Sequence, residues 1–151
     1  MNDYHHADEW SGGAWMSASG NRGAVDFVGT KGVGECWYGF ANGVVWPDEP
    51  PFPPIPAPPS DERGWWSSQF TGRLIFYDPA DLARVAQGQM APNQPQPYAV
   101  MSVDDVLFHI TGDQQKYHLG AADFDADRGL LYVMEPLADD ERSVVHVWRV
   151  N

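Results

Sequence analysis

Trp37, Tyr38, Phe40, Trp46, Trp65 and Trp66 fall close together in the chain, with Lys31, Glu35 and Arg63 as polar neighbours. An aromatic ring face meets the apolar C–H face of a pyranose while charged side chains bond its hydroxyls, so such a set has the chemistry of a sugar platform. The candidate ligand-binding residues are Trp37, Tyr38, Trp46, Arg63, Trp65, Trp66 and Lys31. A plainer alternative makes most of these aromatics the mini-core of their own long loop. Trp65 and Trp66 are adjacent, and neighbours on an extended backbone point to opposite sides. At least one of the two is therefore expected to face solvent or a partner.

Other chemistry is more thinly represented. The histidines His5, His6, His109, His118 and His146 could serve a metal or acid–base site, yet no segment brings them to ligand spacing. Surface or capping roles explain them as well. His118, with a carboxylate, is the one candidate for catalysis, and His146 between Val145 and Val147 reads as structural. Asp123, Asp125 and Asp127 alternate as at the start of a calcium loop, with Glu135 the one position in register for its closing ligand. A hairpin turn whose aspartates bond local amides accounts for the same residues. No phosphate-binding glycine loop and no Gly-x-Ser-x-Gly elbow is present, no cofactor is expected, and nothing demands an enzyme.

The surroundings narrow the partners. The 151 residues are 43% hydrophobic and 13% aromatic, enough for one packed domain of ordinary size. A net charge of -12 repels phosphate backbones and anionic membrane surfaces, so neither nucleic acid nor membrane is expected as a partner. The single Cys36 excludes an internal disulfide and reads as a small buried residue. No run reaches the roughly 18 apolar residues of a spanning helix, which makes a soluble protein the expectation. No basic start and apolar run mark a signal peptide; if the chain is the end of a longer protein, that segment would lie upstream and an extracytoplasmic location stays open.

The elements that must position the aromatics are strands. Residues 13–19 alternate, Gly20-Asn21 marks a turn, and 24–29 supplies a β-branched and aromatic second strand. From Thr30 to Thr71 the expectation is an irregular excursion, punctuated by glycines and then by the prolines from Pro47 to Pro59, which favour an extended polyproline-like path. Leu74-Ile75-Phe76-Tyr77 is apolar on both faces, as in a sandwiched strand. Asp78, Pro79 and Gly88 bracket a short helix, and 98–103 reads as a further strand. A second cycle begins near Leu119, with strands at 121–125, 130–134 and 143–150. A short all-β unit that recurs points to a propeller or sandwich.

Phe124-Asp125-Ala126-Asp127-Arg128-Gly129-Leu130-Leu131-Tyr132-Val133, with Val145-His146-Val147-Trp148-Arg149-Val150 closing the chain, resembles the inner hairpin and third strand of a β-propeller blade of the kind many bacterial propellers carry. The resemblance spans most of residues 10–151 and names no subfamily. It implies an all-β fold of two consecutive propeller-type antiparallel blades, the second lacking its outer strand, with one short helix and a long proline and aromatic loop. The blades would be 10–103, with the insertion 30–71, and 119–151, together one partial propeller segment over 1–151. It further implies that the excursion shares a face with Tyr4 to Trp10 and His109 to His118, while the helix and the Asp123 turn lie opposite. On this basis the chain is expected to need partners on its flanks, either the remaining blades or a self-associated copy, because two blades bury each sheet on one side only. A carbohydrate is the expected ligand. The alternatives are a structural or protein-interaction module and a part of a propeller hydrolase or lyase.

Overall fold

The computed structural model describes residues 2–18, 22–108, 118–139 and 141–150. They form two antiparallel sheets and one short helix, so the chain is all-β in class. β1 (Glu9–Ala18), β2 (Arg22–Gly39), β3 (Gly64–Tyr77) and β4 (Ala99–Ser102) make a four-stranded meander in sequence order. β5 (Ala122–Asp125), β6 (Leu130–Asp139) and β7 (Arg142–Arg149) make a three-stranded one.

Alternation along each strand decides which residues are shared between the sheets. In β2, Ala24, Asp26, Val28 and Thr30 all point inward and are all buried. Ala14 and Met16 of β1 and Leu74 of β3 join them, and Leu131 and Val133 of β6, with Leu119 ahead of β5, meet them from the other side. This single inter-sheet layer is the hydrophobic core, closed at its margins by Phe76, Leu107, Phe124 and Trp148. The first strands of the two sheets run side by side. A Cβ on Gly12 would lie 2.3 Å from the Gly120 carbonyl oxygen and 2.9 Å from the Ala122 nitrogen, so only glycine permits that approach.

The helix α1 (Pro79–Ala86) forms where its punctuation places it. Asp78 caps it by accepting from the Ala80 N–H at 2.8 Å, and Arg84 pairs with Asp81 one turn back. Leu82 and Val85 face Phe27, Ile75 and Tyr77 on the outer side of the larger sheet. The remaining outer faces expose Trp15 (65%), Val145 (55%) and Val147 (50%) to solvent.

One expectation is corrected. The region 30–71 is not irregular throughout: β2 continues to Gly39 and β3 begins at Gly64, so the two strands extend past the sheet as a long two-stranded ribbon. Only 40–63 runs without regular strand or helix, apart from a bridge between Gly39 and Val45. The glycines read as breakers serve instead to bend a continuous ribbon. The register shifts between Val33 and Cys36, and Gly34 takes φ +85°, the left-handed value a bulge of this kind uses. Cys36 sits in this ribbon and is exposed rather than buried.

Candidate functional site

The ribbon has two faces with different fates. Trp37 pairs with Trp66 across the strands and Tyr38 pairs with Trp65, so each pair shares a side and the two pairs point oppositely. Trp66 is 1% exposed and meets Phe70 edge to face. Trp65, its neighbour, stands 39% exposed, as adjacency on a strand requires.

On the open side an aromatic row assembles from two distant parts of the chain. Tyr4 meets His6 edge to face at 5.6 Å, His6 stacks on Trp65 at 4.5 Å, and Trp65 meets Tyr38 at 5.5 Å. All four are exposed. The Asp8 carboxylate anchors the segment that brings Tyr4 and His6 there. Asp8 accepts from the Lys31 ammonium at 3.1 Å, from the Gly32 N–H at 2.9 Å and from the His5 N–H at 3.1 Å. The His5 ring lies 3.4 Å from the Ser67 hydroxyl on β3.

The Lys31 ammonium is engaged within the protein. The side chain is 4% exposed, and the ammonium is bound by Asp8 and by the Gly32 carbonyl at 2.8 Å. A lysine in a surface loop would be free to bond hydroxyls; one at the ribbon's base, on the side opposite Thr30 and buried against Asp8, is a strut. The remaining aromatics fill the loop. Phe52 stacks on Trp46 at 4.9 Å, the Arg63 guanidinium sits 4.5 Å over the same ring, and Phe40, 1% exposed, meets it edge to face. Trp37 donates its ring N–H to the Phe40 carbonyl at 3.0 Å. Of the seven ligand candidates the structure brings Tyr38 and Trp65 together on an open surface. It assigns Trp37, Trp46 and Arg63 to the loop's own packing, and Trp66 and Lys31 to buried positions.

The other candidates are dispersed. His118 is buried, its N–H donating to the Thr30 hydroxyl at 2.9 Å, so it closes the core rather than lining a surface. His109 lies outside the described residues. His146 stands in β7 with its ring nitrogen 2.7 Å from the buried Glu135 carboxylate and stacks against Trp148. Glu135 thus serves a histidine and not a calcium loop. In the Asp123 turn, Asp125 accepts from the Arg128 N–H and pairs with its guanidinium, which hold its carboxyl below the ordinary range. Asp123 accepts from the Phe124 N–H. Among the described residues no three or more His, Cys, Asp or Glu side chains stand together as a metal site. Nor is any helix among them long and apolar enough to cross a membrane.

Two features escaped the sequence. Tyr4 and His6 join Trp65 through the Asp8 anchor and the His5–Ser67 contact, for which no local pattern speaks. Asp26 is a fully buried carboxylate with neither oxygen hydrogen-bonded among the described residues, and burial pushes its pKa up to about 7. It shares the parity of Ala24 and Val28, but Val25 and Phe27 make the other side of the strand equally apolar, so the sequence held no signal for its burial.

Compared with known protein families, with characterised proteins and with solved structures, the chain shows no match.

Proposed function

We propose that this chain is a ligand-binding segment of a β-propeller and that its open aromatic row, Tyr4–His6–Trp65–Tyr38, binds an uncharged glycan. The observation that carries the reading is that row: exposed rings in contact, fixed on a ribbon and an anchored segment rather than on a mobile tip. Rigid aromatic faces of this kind suit the C–H faces of successive sugar rings. The net charge of -12 favours neutral over acidic polymers. In support of the propeller, a four-stranded meander is followed by a three-stranded one, the two stack face to face, and their first strands approach most closely at Gly12 and Gly120. The apolar residues on the outer faces, Trp15, Val145 and Val147 among them, would be covered by further blades or by a second copy.

Titration with a panel of neutral oligosaccharides, followed by tryptophan emission, tests the proposal. A saturable change that disappears in Trp65→Ala is expected. Silence across the panel, or an undiminished response in that variant, sinks it.

A protein-docking role has its own observation. Beside the proline tract Val45, Phe52 and Ile55 are 58%, 51% and 68% exposed, an apolar margin that extended partners can meet. On that reading, deletion of 47–62 abolishes assembly with the partner and spares the glycan response.

A further inference from the structure

The apolar layer between the sheets runs out at the end away from the ribbon. Along β2 the inward positions are Thr30, Val28, Asp26, Ala24 and then Arg22, so the row that begins as core ends on an exposed cation. Ala24 is paired with Met16, and Arg22 with Ala18, on β1. Tyr98 is held at the same end, its N–H donating to the Phe76 carbonyl at 2.9 Å.

A cavity of about 180 Å³ lies there. A wider cleft of about 790 Å³ adjoins it and reaches Trp15, Asp78 and the start of the helix. The residues that line the cavity alone are Ala24, Phe76, Phe124 and Val150, every one of them apolar. Those that line both spaces form the neck between them, and they include Ser17, Arg22 and Tyr98 beside Met16. Polarity is therefore graded along one path: hydrocarbon at the inner end, then a guanidinium and hydroxyls where the cavity meets the cleft. Among the described residues, Asp78 is the one carboxylate lining either space, and it accepts from the Ala80 N–H as the helix cap.

We propose that this cavity binds a small hydrophobic carboxylate of the arylalkanoate type, its ring among Phe76, Phe124 and Val150 and its carboxylate on the Arg22 guanidinium at the neck. An apolar cavity of about 150 Å³ is enough to take benzene, so the space of about 180 Å³ suits a phenyl ring with a short alkyl link. The planar guanidinium matches a carboxylate with two parallel N–H donors. Its further donors let it hold that group while it keeps its contacts within the chain. The Tyr98 phenol, at the same neck, is a second donor. The net charge of -12 opposes anions at a distance, so a bare anion gains too little here and the apolar part must carry most of the affinity.

The test is a titration of the whole chain with phenylpropionate, followed by the Met16 methyl resonance. Phenylpropanol is the uncharged control, phenethylammonium the control of opposite charge, and acetate the head group alone. The carboxylate is expected to bind at least about fivefold more tightly than the alcohol and the amine, as a charge-assisted contact at an exposed arginine allows. Acetate is expected to leave the resonance unmoved. Arg22→Gln should bring the carboxylate down to the alcohol's affinity and leave the alcohol unchanged. Ala24→Leu fills the cavity and should block both; Arg22→Gln, at an exposed position, decides the question if the leucine variant does not fold. Equal or tighter binding of the alcohol or the amine, undiminished binding of the carboxylate in either variant, an equal response to acetate, or no binding at all overturns the proposal. None of these results bears on the aromatic row, which lies at the other end of the sheets.

Discussion

His6 lies stacked on Trp65 with ring centroids 4.5 Å apart, although the two are far apart in the chain and belong to different strands' approaches. The contact joins the segment ahead of β1 to the ribbon and leaves Trp65 both fixed and open. A ring that is held in place loses little freedom when a ligand covers it, which is what makes it useful for binding.

Removing His6 should therefore weaken glycan binding without unfolding the chain. His6→Ala is expected to cost about 1 kcal/mol of stability, the worth of one aromatic pair, and to lower glycan affinity severalfold. Calorimetric titration beside a thermal melt reads both, and an unchanged affinity would separate the stack from recognition.

Lys31 was a ligand candidate by residue type and is a strut by position. Lys31→Met leaves the Asp8 carboxylate buried without its cation, and the expected loss is about 3–5 kcal/mol in chemical denaturation. The double variant Lys31→Met with Asp8→Asn should recover much of that loss. If Lys31→Met instead keeps full stability and abolishes sugar binding, the lysine belongs to the site after all.

Asp26 gives the fold a pH dependence of definite sign. Well below pH 3.8 the carboxyl is protonated in both folded and unfolded chains. As the pH rises towards 7 the unfolded chain ionises first, so stability falls across that window and stays low above it. The gap between 3.8 and about 7 corresponds to about 4 kcal/mol. Asp26→Asn should accordingly be more stable than the parent by up to that amount at pH 8, with the advantage vanishing as the pH falls below 3.8. Denaturation at pH 8 and below pH 3.8 checks this.

Gly12 should tolerate no side chain. A methyl placed 2.3 Å from the Gly120 carbonyl must push β1 and β5 apart, and Gly12→Ala is expected to destabilise by about 3 kcal/mol, the upper end of overpacking. Gly43, where a Cβ would meet nothing within 4 Å, is not a control free of strain because its φ is +88°. Gly13→Ala, whose nearest neighbour would be 3.1 Å away, is the milder comparison, and melting temperatures rank the two.

The parts of the fold that could be read in advance were those signalled locally. Asp78, Pro79 and Gly88 bracket the helix, and the alternation from Ala121 to Met134 marks the second hairpin; the helix stands at nearly those bounds, and the hairpin forms there with its second strand continuing to Asp139. Trp65 and Trp66 divide between solvent and interior because strand geometry leaves them no other choice. The ribbon was hidden because Gly32, Gly34 and Gly39 look like breakers until the pairing of Trp37 with Trp66 shows a strand running through them. Asp26 was hidden for the opposite reason: Val25 and Phe27 on the other face are as apolar as Ala24 and Val28, so the pattern did not say which side was inward. The aromatic row depends on Asp8 gripping Lys31 across 23 positions, a tertiary event that no spacing rule expresses.

The ribbon is made of the same two strands that carry the core, and it has no joint at its base. Force applied to its tip passes along β2 and β3 directly into the layer where Val28 and Leu74 pack. The bulge at Gly34 is the place where the pairing of β2 with β3 shifts register. A weight hung on the far end would bend the molecule there before it loosened anything deeper.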